Sequence, residues 1–352
     1  MKTYEKLKSN PDLFETYFLK EYTIKAIRKF FEQRNYHELE APILADALPQ
    51  ERYLDVLHTN IELKDGTKKR AYLIPSTETW NKKILVAGLG NHFVITKVFR
   101  GLEEIGPNHA PEFTMLEWYE LGHNYLDLMI SAERLIQFII SFIRDKKLKR
   151  YPFEKNELTF SNNTISLESP WYRFSVRELL LKYLDVELEM IYNLDDLKKF
   201  AKSKGVFIKE QDDWQALFEI LMATFIEPNL PWDKPIFIYD YPRILCPLTK
   251  PKDSDPLVSE KVELYIAGKE VANGYTELLD PEEQEKRFLE EMQARKDLGK
   301  EPIEYDQELV NALKLGMPPV AGIGMGLDRL VMILANAKSI SDINFFPPSE
   351  WS

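Results

Sequence analysis

The sequence predicts a mixed α+β domain built mainly on an antiparallel sheet flanked by helices, and three observations carry that prediction. Short β-patterned runs dominate both flanks of the chain. A Leu- and Lys-rich stretch of helical character, about 166–228, separates them. The chain closes on a glycine-punctuated strand that runs into a helix.

In chain order, residues 17–33 place Ile24, Ile27, Phe30 and Phe31 at helical spacing and predict an amphipathic helix. It stops near Arg34-Asn35-Tyr36, and 38–42 reads as a short strand reaching Pro42. Residues 71–74 predict a strand, 77–87 a helix and 93–99 another strand. Residues 112–119 follow as a strand whose side chains alternate between two faces. Residues 126–145 form a long helical pattern, and 166–228 reads as a helical insertion broken at Asn193 and Gly205. Strand character returns at 235–242 and 261–266, helices follow at 281–298 and 306–315, and strand 322–326 leads into helix 328–337.

The 352 residues can bury one large core or two modest ones, and 44% hydrophobic with 29% charged residues excludes a disordered or membrane-embedded class. No apolar run approaches a membrane span, and the N-terminal residues alternate charge and polarity as no signal peptide does. Cys246 is the only cysteine, which rules out an internal disulfide and points to a cytoplasmic protein. Five scattered histidines and one cysteine argue against zinc. The net charge of -11 confines any face for a nucleic acid to a local patch.

Three clusters carry chemistry. Phe99-Arg100 is followed by a loop with Glu103, Glu104, Gly106 and His109 and then by the strand from Glu112, a hairpin that can hold an arginine fork against a phosphate and a ring against a base. Glu263, Glu270, Asn273 and Glu277 crowd fifteen residues around a Gly-containing turn, the oxygen-rich setting magnesium takes when phosphates complete its shell; a solvated polar hairpin is the plain alternative. Gly322-Ile323-Gly324-Met325-Gly326-Leu327-Asp328-Arg329-Leu330 lets a ligand lie against bare backbone, with Arg329 at a helix start. Its place at the end of the chain excludes a dinucleotide fingerprint.

In this order the clusters resemble the three signatures of class II aminoacyl-tRNA synthetases: motif 1 at about 22–44, motif 2 at about 96–119 and motif 3 at about 320–337. The match is closest to lysyl-tRNA synthetases and their short relatives, the elongation factor P β-lysine ligases. It rests on His109-Ala110-Pro111-Glu112-Phe113-Thr114-Met115-Leu116-Glu117-Trp118-Tyr119 and Glu270-Val271-Ala272-Asn273-Gly274-Tyr275-Thr276-Glu277-Leu278. The resemblance implies a single catalytic domain over 1–352, with ATP and Mg2+ as cofactors. It implies that Arg100 binds the α-phosphate and the amino-acid carboxylate, that Phe113 stacks on adenine, that His109 contacts ATP and that Arg329 lies on the γ-phosphate side. Glu103, or Glu104, matches the motif 2 glutamate at the ATP. Glu263 and Glu270 match the magnesium-associated positions. Glu78 falls where the family holds the substrate's amino group. Glu117 and Glu277, with Tyr119, match the receivers of a side-chain ammonium, and Asn273, Tyr275 and Gly324 lie in the same substrate phrases. Two carboxylates and a hydroxyl suit a buried ammonium, so the pocket reads as lysine-like, for α-lysine or β-lysine.

The motif 1 helix starts near residue 17, which leaves no room for the N-terminal anticodon-binding domain of full-length relatives. With the acidic charge, this favours a lysine side chain on elongation factor P as acyl acceptor over tRNA. Gly324 and Cys246-Pro247-Leu248 are nearer the synthetases, and Asn108 nearer the short ligases. Charging of tRNA or another small acceptor stands second. A non-catalytic amino-acid-sensing paralogue stands third, because Arg100, Arg329, Glu263 and Glu270 are all present. The family's motif 1 interface implies a homodimer. His37, His58, His92, His123 and Cys246 read as surface or packing residues.

Overall fold

The computed structural model describes residues 2–101, 106–153 and 155–350. The chain opens with α1 (Thr3–Ser9), α2 (Phe14–Glu32), the two-residue strands β1 (His37–Glu38) and β2 (Leu44–Ala45), the hairpin β3 (His58–Glu62) and β4 (Lys68–Leu73), and α3 (Glu78–Val86). β5 (His92–Phe99) and β6 (Glu112–Leu121) form a long hairpin that ends at α4 (Tyr125–Arg144). A small hairpin, β7 (Glu157–Phe160) and β8 (Asn163–Ser166), precedes β9 (Tyr172–Ser175), α5 (Val176–Leu184), α6 (Leu194–Ser203) and α7 (Trp214–Leu221). The last part holds β10 (Ile236–Pro242), β11 (Pro251–Lys252), β12 (Asp255–Ile266), β13 (Lys269–Thr276), α8 (Pro281–Asp297), α9 (Gln307–Lys314), β14 (Val320–Gly326) and α10 (Leu327–Leu334).

The main sheet runs β1-β5-β6-β14-β13-β12-β10-β9, with β11 paired to β12. Only its two ends are parallel, β1 with β5 and β9 with β10; the pairs between them are antiparallel, as the fold class predicts. Period-two alternation assigns its faces. Leu116 and Trp118 of β6, Ala321, Ile323 and Met325 of β14, and Val262 and Leu264 of β12 join one core with Leu19, Ile27, Phe30 and Phe31 of α2 and the apolar stripe of α4. The intervening residues therefore face the other side, where the candidate site lies.

α4 shows why these helices form. Asn124 accepts the amide of Leu126, Asp127 returns a bond to the Asn124 amide, and Leu128, Leu135, Ile136, Ile139, Ile140 and Ile143 are buried at helical spacing. Burial of each such side chain contributes about 1.5–3 kcal/mol, so a charge at Ile136 would break this seam. Among the described residues no helix is long and apolar enough to cross a membrane.

The strand expected at 38–42 is instead two short ones. His37–Glu38 pairs with β5, and after Pro42, which lacks a ladder donor, the chain leaves for a second sheet ordered β2-β4-β3. β3 had no alternating signature to read, since all five of its residues are exposed. The segment expected to be helical from 166 opens on a strand, because Tyr172–Ser175 finds the free edge of β10. Its helices then build a separate core, with Leu179, Leu180, Leu217, Phe218 and Leu221 packed on Ile236 and Ile238 of β10.

Candidate active site

Register builds the site. Along β14, Gly322 stands between Tyr119 of β6 and Tyr275 of β13, and Gly324 between Glu117 and Asn273. With glycine at 322, 324 and 326, the positions of β14 that face the site, this strand becomes the floor of a trough and its neighbours the walls. The trough is a cavity of about 310 Å3 whose lining includes Arg100, His109, Phe113 and Arg329 at one end and Glu78, Glu117 and Glu277 at the other. Gly322 is required there: a Cβ would lie 2.5 Å from Tyr119 Cε1 and 2.7 Å from Glu277 Oε1. At Gly324 it would meet Met115 Sδ at an ordinary 3.5 Å.

The acidic end is buried. Glu117 Oε1 accepts the Thr77 amide at 2.8 Å, and Oε2 accepts Asn81 Nδ2 at 3.2 Å and the Tyr119 hydroxyl at 3.5 Å. Burial nevertheless pushes the Glu117 carboxyl up to about 7, against those hydrogen bonds. Glu277, on the residue after β13, is pushed up to about 8 by burial, with Glu78 and Glu117 adding repulsion and Lys82 opposing it. Lys82 forms ion pairs with Glu78 and, at 2.7 Å, with Glu277 Oε2. Its own burial disfavours charge, yet Glu277 and Glu78 hold it above the usual lysine range. Two carboxylates share this one ammonium, so a charged Lys82 and a Glu277 of raised proton affinity are compatible. The Tyr119 ring stacks on His92, 5.3 Å between centroids at 12°, which fixes the wall.

The other end is cationic. Arg100 follows β5 directly and donates its amide to Pro111 O at 3.0 Å, while its guanidinium lies 5.6 Å from the centroid of Phe113. Arg100 Nε and Asn273 Oδ1 are buried without a hydrogen-bond partner among the described residues, as expected of groups that await a ligand. Arg329, in the first turn of α10, donates Nη1 to the Glu270 carbonyl and stands 3.9 Å from Glu270 Oε2. A carboxylate between this ring and fork, and an ammonium at the acidic end, would both find counter-charges.

Residues 2–350 match the family described as tRNA synthetases class II (D, K and N). The chain belongs to that family. It is 34% identical over 348 residues to the lysine–tRNA ligase of Legionella pneumophila (strain Paris), covering 98% of this chain and 67% of that protein. It is 33% identical over 351 residues to the lysine–tRNA ligase of Wigglesworthia glossinidia brevipalpis, again 98% of this chain and 67% of the relative. To the lysine–tRNA ligase of Carboxydothermus hydrogenoformans it is 33% identical over 342 residues, 96% and 66%.

In this class II chain the fold brings together all the expected site residues that it describes; Glu103 lies outside the described residues. Of the two expected metal carboxylates, Glu270 lines the cavity, and burial followed by the charge of Glu263 raises its proton affinity. Glu263 stands behind it on β12, already bound to Lys261 Nζ at 2.8 Å and to the hydroxyls of Tyr241 at 2.5 Å and Tyr265 at 3.0 Å. No group of three or more His, Cys, Asp or Glu among the described residues could hold a metal alone. Magnesium bound through one carboxylate plus substrate phosphates fits Glu270; Glu263 fits only as a second ligand that first gives up Lys261.

Sequence reasoning missed Lys82, Lys261 and the individual requirement for Gly322. The Glu78-to-Lys82 spacing of four was a signal for the first, but it reads equally as a surface pair. Cys246 lines the cavity, yet burial pushes its thiol up to about 11, so it is an inert packing group, as expected.

Proposed function

We propose that this chain uses ATP to activate lysine or β-lysine as an aminoacyl-adenylate and then passes the acyl group to a lysine side chain of elongation factor P. The buried trio Glu78, Glu117 and Glu277 with the Tyr119 hydroxyl carries the first half of this reading, because it offers counter-charge for two ammonium groups at one end of a cavity whose other end is cationic. The relatives named as lysine–tRNA ligases support the same substrate.

In the first step a substrate carboxylate oxygen bonds to the α-phosphorus of ATP, the bond from that phosphorus to the bridging oxygen breaks, and pyrophosphate leaves. Arg100 holds the carboxylate and the α-phosphate in line, Phe113 packs against the base, and Arg329 binds the departing phosphates. Magnesium held at Glu270 would supply further neutralisation of phosphate charge. In the second step an acceptor nitrogen attacks the acyl carbon, the bond to AMP breaks, and the acceptor's proton goes to solvent.

The net charge of -11 supports a protein acceptor, since a polyanion pays a repulsive cost on approach. Transfer to tRNA is the second reading and is favoured by the names of the relatives. A C2 homodimer belongs with either; Ile43 just before β2, Leu44 on β2, and Phe14 and Phe18 on α2 are exposed apolar residues suited to such an interface. Exchange of labelled pyrophosphate into ATP that depends on lysine or β-lysine tests activation, and no exchange with either amino acid refutes it. Supplying the activated enzyme with tRNA or with elongation factor P then decides the acceptor.

A further inference from the structure

Lys82 is an unusual residue to find in this wall. Its side chain is fully buried, it does not line the cavity, and it sits behind two carboxylates that do. α3 turns Glu78, Thr79, Asn81, Lys82 and Leu85 inward. Lys83, the next residue, points instead to Asp306, with Nζ 2.9 Å from each carboxylate oxygen. An isolated buried ammonium is strongly unfavourable, so Lys82 persists only because Glu78 from its own helix and Glu277 from the end of β13 converge on it. The groups around it are Glu78 on α3, Glu117 and Tyr119 on β6, Tyr275 and Glu277 at the end of β13, and His92 on β5 beyond Asn81. Glu51 and Lys261 lie elsewhere on the same cavity lining.

We propose that Lys82 is a positioning and specificity-determining residue, which ties Glu78 and Glu277 to one buried cation and leaves the three-carboxylate pocket a formal charge of minus two, matched to a substrate with two ammonium groups. This rests on the functional reading above. Three carboxylates without Lys82 would hold one negative charge too many for such a substrate, and the excess would be relieved by a proton on Glu277 or Glu117. That proton would occupy an oxygen the ammonium needs. The raised proton affinities of Glu117 and Glu277 show that the cluster is already close to this limit with Lys82 in place. Removing a neighbouring cation raises a carboxylate further, so the substrate-competent form of a Lys82 variant would exist only at higher pH.

The test compares wild type, Lys82→Met and Lys82→Arg in lysine-dependent pyrophosphate exchange from pH 6.5 to 9.5. The acid limb of the lysine KM profile should move up by roughly one pH unit in Lys82→Met, a tenfold KM rise near neutrality, with KM for ATP unchanged and partial restoration in Lys82→Arg. An acid limb at the wild-type position in Lys82→Met overturns the proposal, because a packing role alone changes no proton affinity. Thermal melting of the free protein gives an arm that needs no activity. Carboxylates with raised folded-state pKa values cost stability as pH rises through those values, so Lys82→Met should lose more melting temperature at pH 9 than at pH 6, relative to wild type. A loss equal at both values also overturns it. If wild type exchanges with neither lysine nor β-lysine, the functional reading fails and the melting arm alone judges Lys82.

Discussion

Replacing Gly322 by alanine adds one methyl group where the wall has no room. The new carbon would stand 2.5 Å from Tyr119 Cε1 and 2.7 Å from Glu277 Oε1, about 1 Å inside ordinary contact, with Tyr119 Cδ1 a further clash at 2.8 Å. Neither neighbour can swing away freely. Tyr119 is buried and stacked on His92, and the Glu277 carboxylate is buried against Lys82. Overpacking of this kind costs about 1–3 kcal/mol of stability. A displacement of about 1 Å in groups that hold the substrate costs on the order of a hundredfold in kcat/KM. Gly324→Ala is the internal comparison, since its methyl would meet Met115 Sδ at 3.5 Å and Glu117 Cγ at 3.7 Å. The assay is lysine-dependent pyrophosphate exchange beside a thermal melt. Gly322→Ala should lose activity and melt lower, while Gly324→Ala should keep its stability within about 0.5 kcal/mol. Wild-type kcat/KM in Gly322→Ala, or a stability loss in Gly324→Ala that equals that of Gly322→Ala, would refute the packing argument.

Three further outcomes follow from the same geometry. Glu117 and Glu277 titrate at about 7 and about 8 in the free protein, and only their ionised forms attract an ammonium, so KM for lysine should rise as pH falls from 8 to below 7; a flat KM between pH 6 and 9 contradicts this. Arg100→Lys keeps the charge but removes the planar fork beside Phe113, and kcat/KM should drop about 100- to 1000-fold with little change in melting temperature, measured by the same exchange. The two candidate metal carboxylates should separate: Glu270→Gln should raise the magnesium concentration needed for half-maximal exchange, while Glu263→Gln, which leaves the Lys261 ammonium without its partner, should cost about 3 kcal/mol in a denaturant melt. Equal magnesium demand in Glu270→Gln and wild type would remove Glu270 from that role.

The sequence determined a good deal by itself. Alternation along 112–119 and the glycines of 322–326 defined strands with one apolar and one open face, and the family resemblance singled out Arg100, Phe113, Glu117, Glu277 and Arg329, which the fold gathers around one cavity. Elements without a periodic signature were not legible. The exposed strand His58–Glu62 is held by pairing to β4, and Tyr172–Ser175 is a strand because β10 offers it an edge. The sharpest case is the pair Lys82 and Lys83. In the sequence they are two equivalent lysines on a helix. In the fold one faces solvent and Asp306, while the other meets Glu277, which lies 195 residues away along the chain. Only the register of β6, β14 and β13 against α3 decides which lysine is buried, because the partner charges that make burial tolerable come from elements that local sequence cannot bring together.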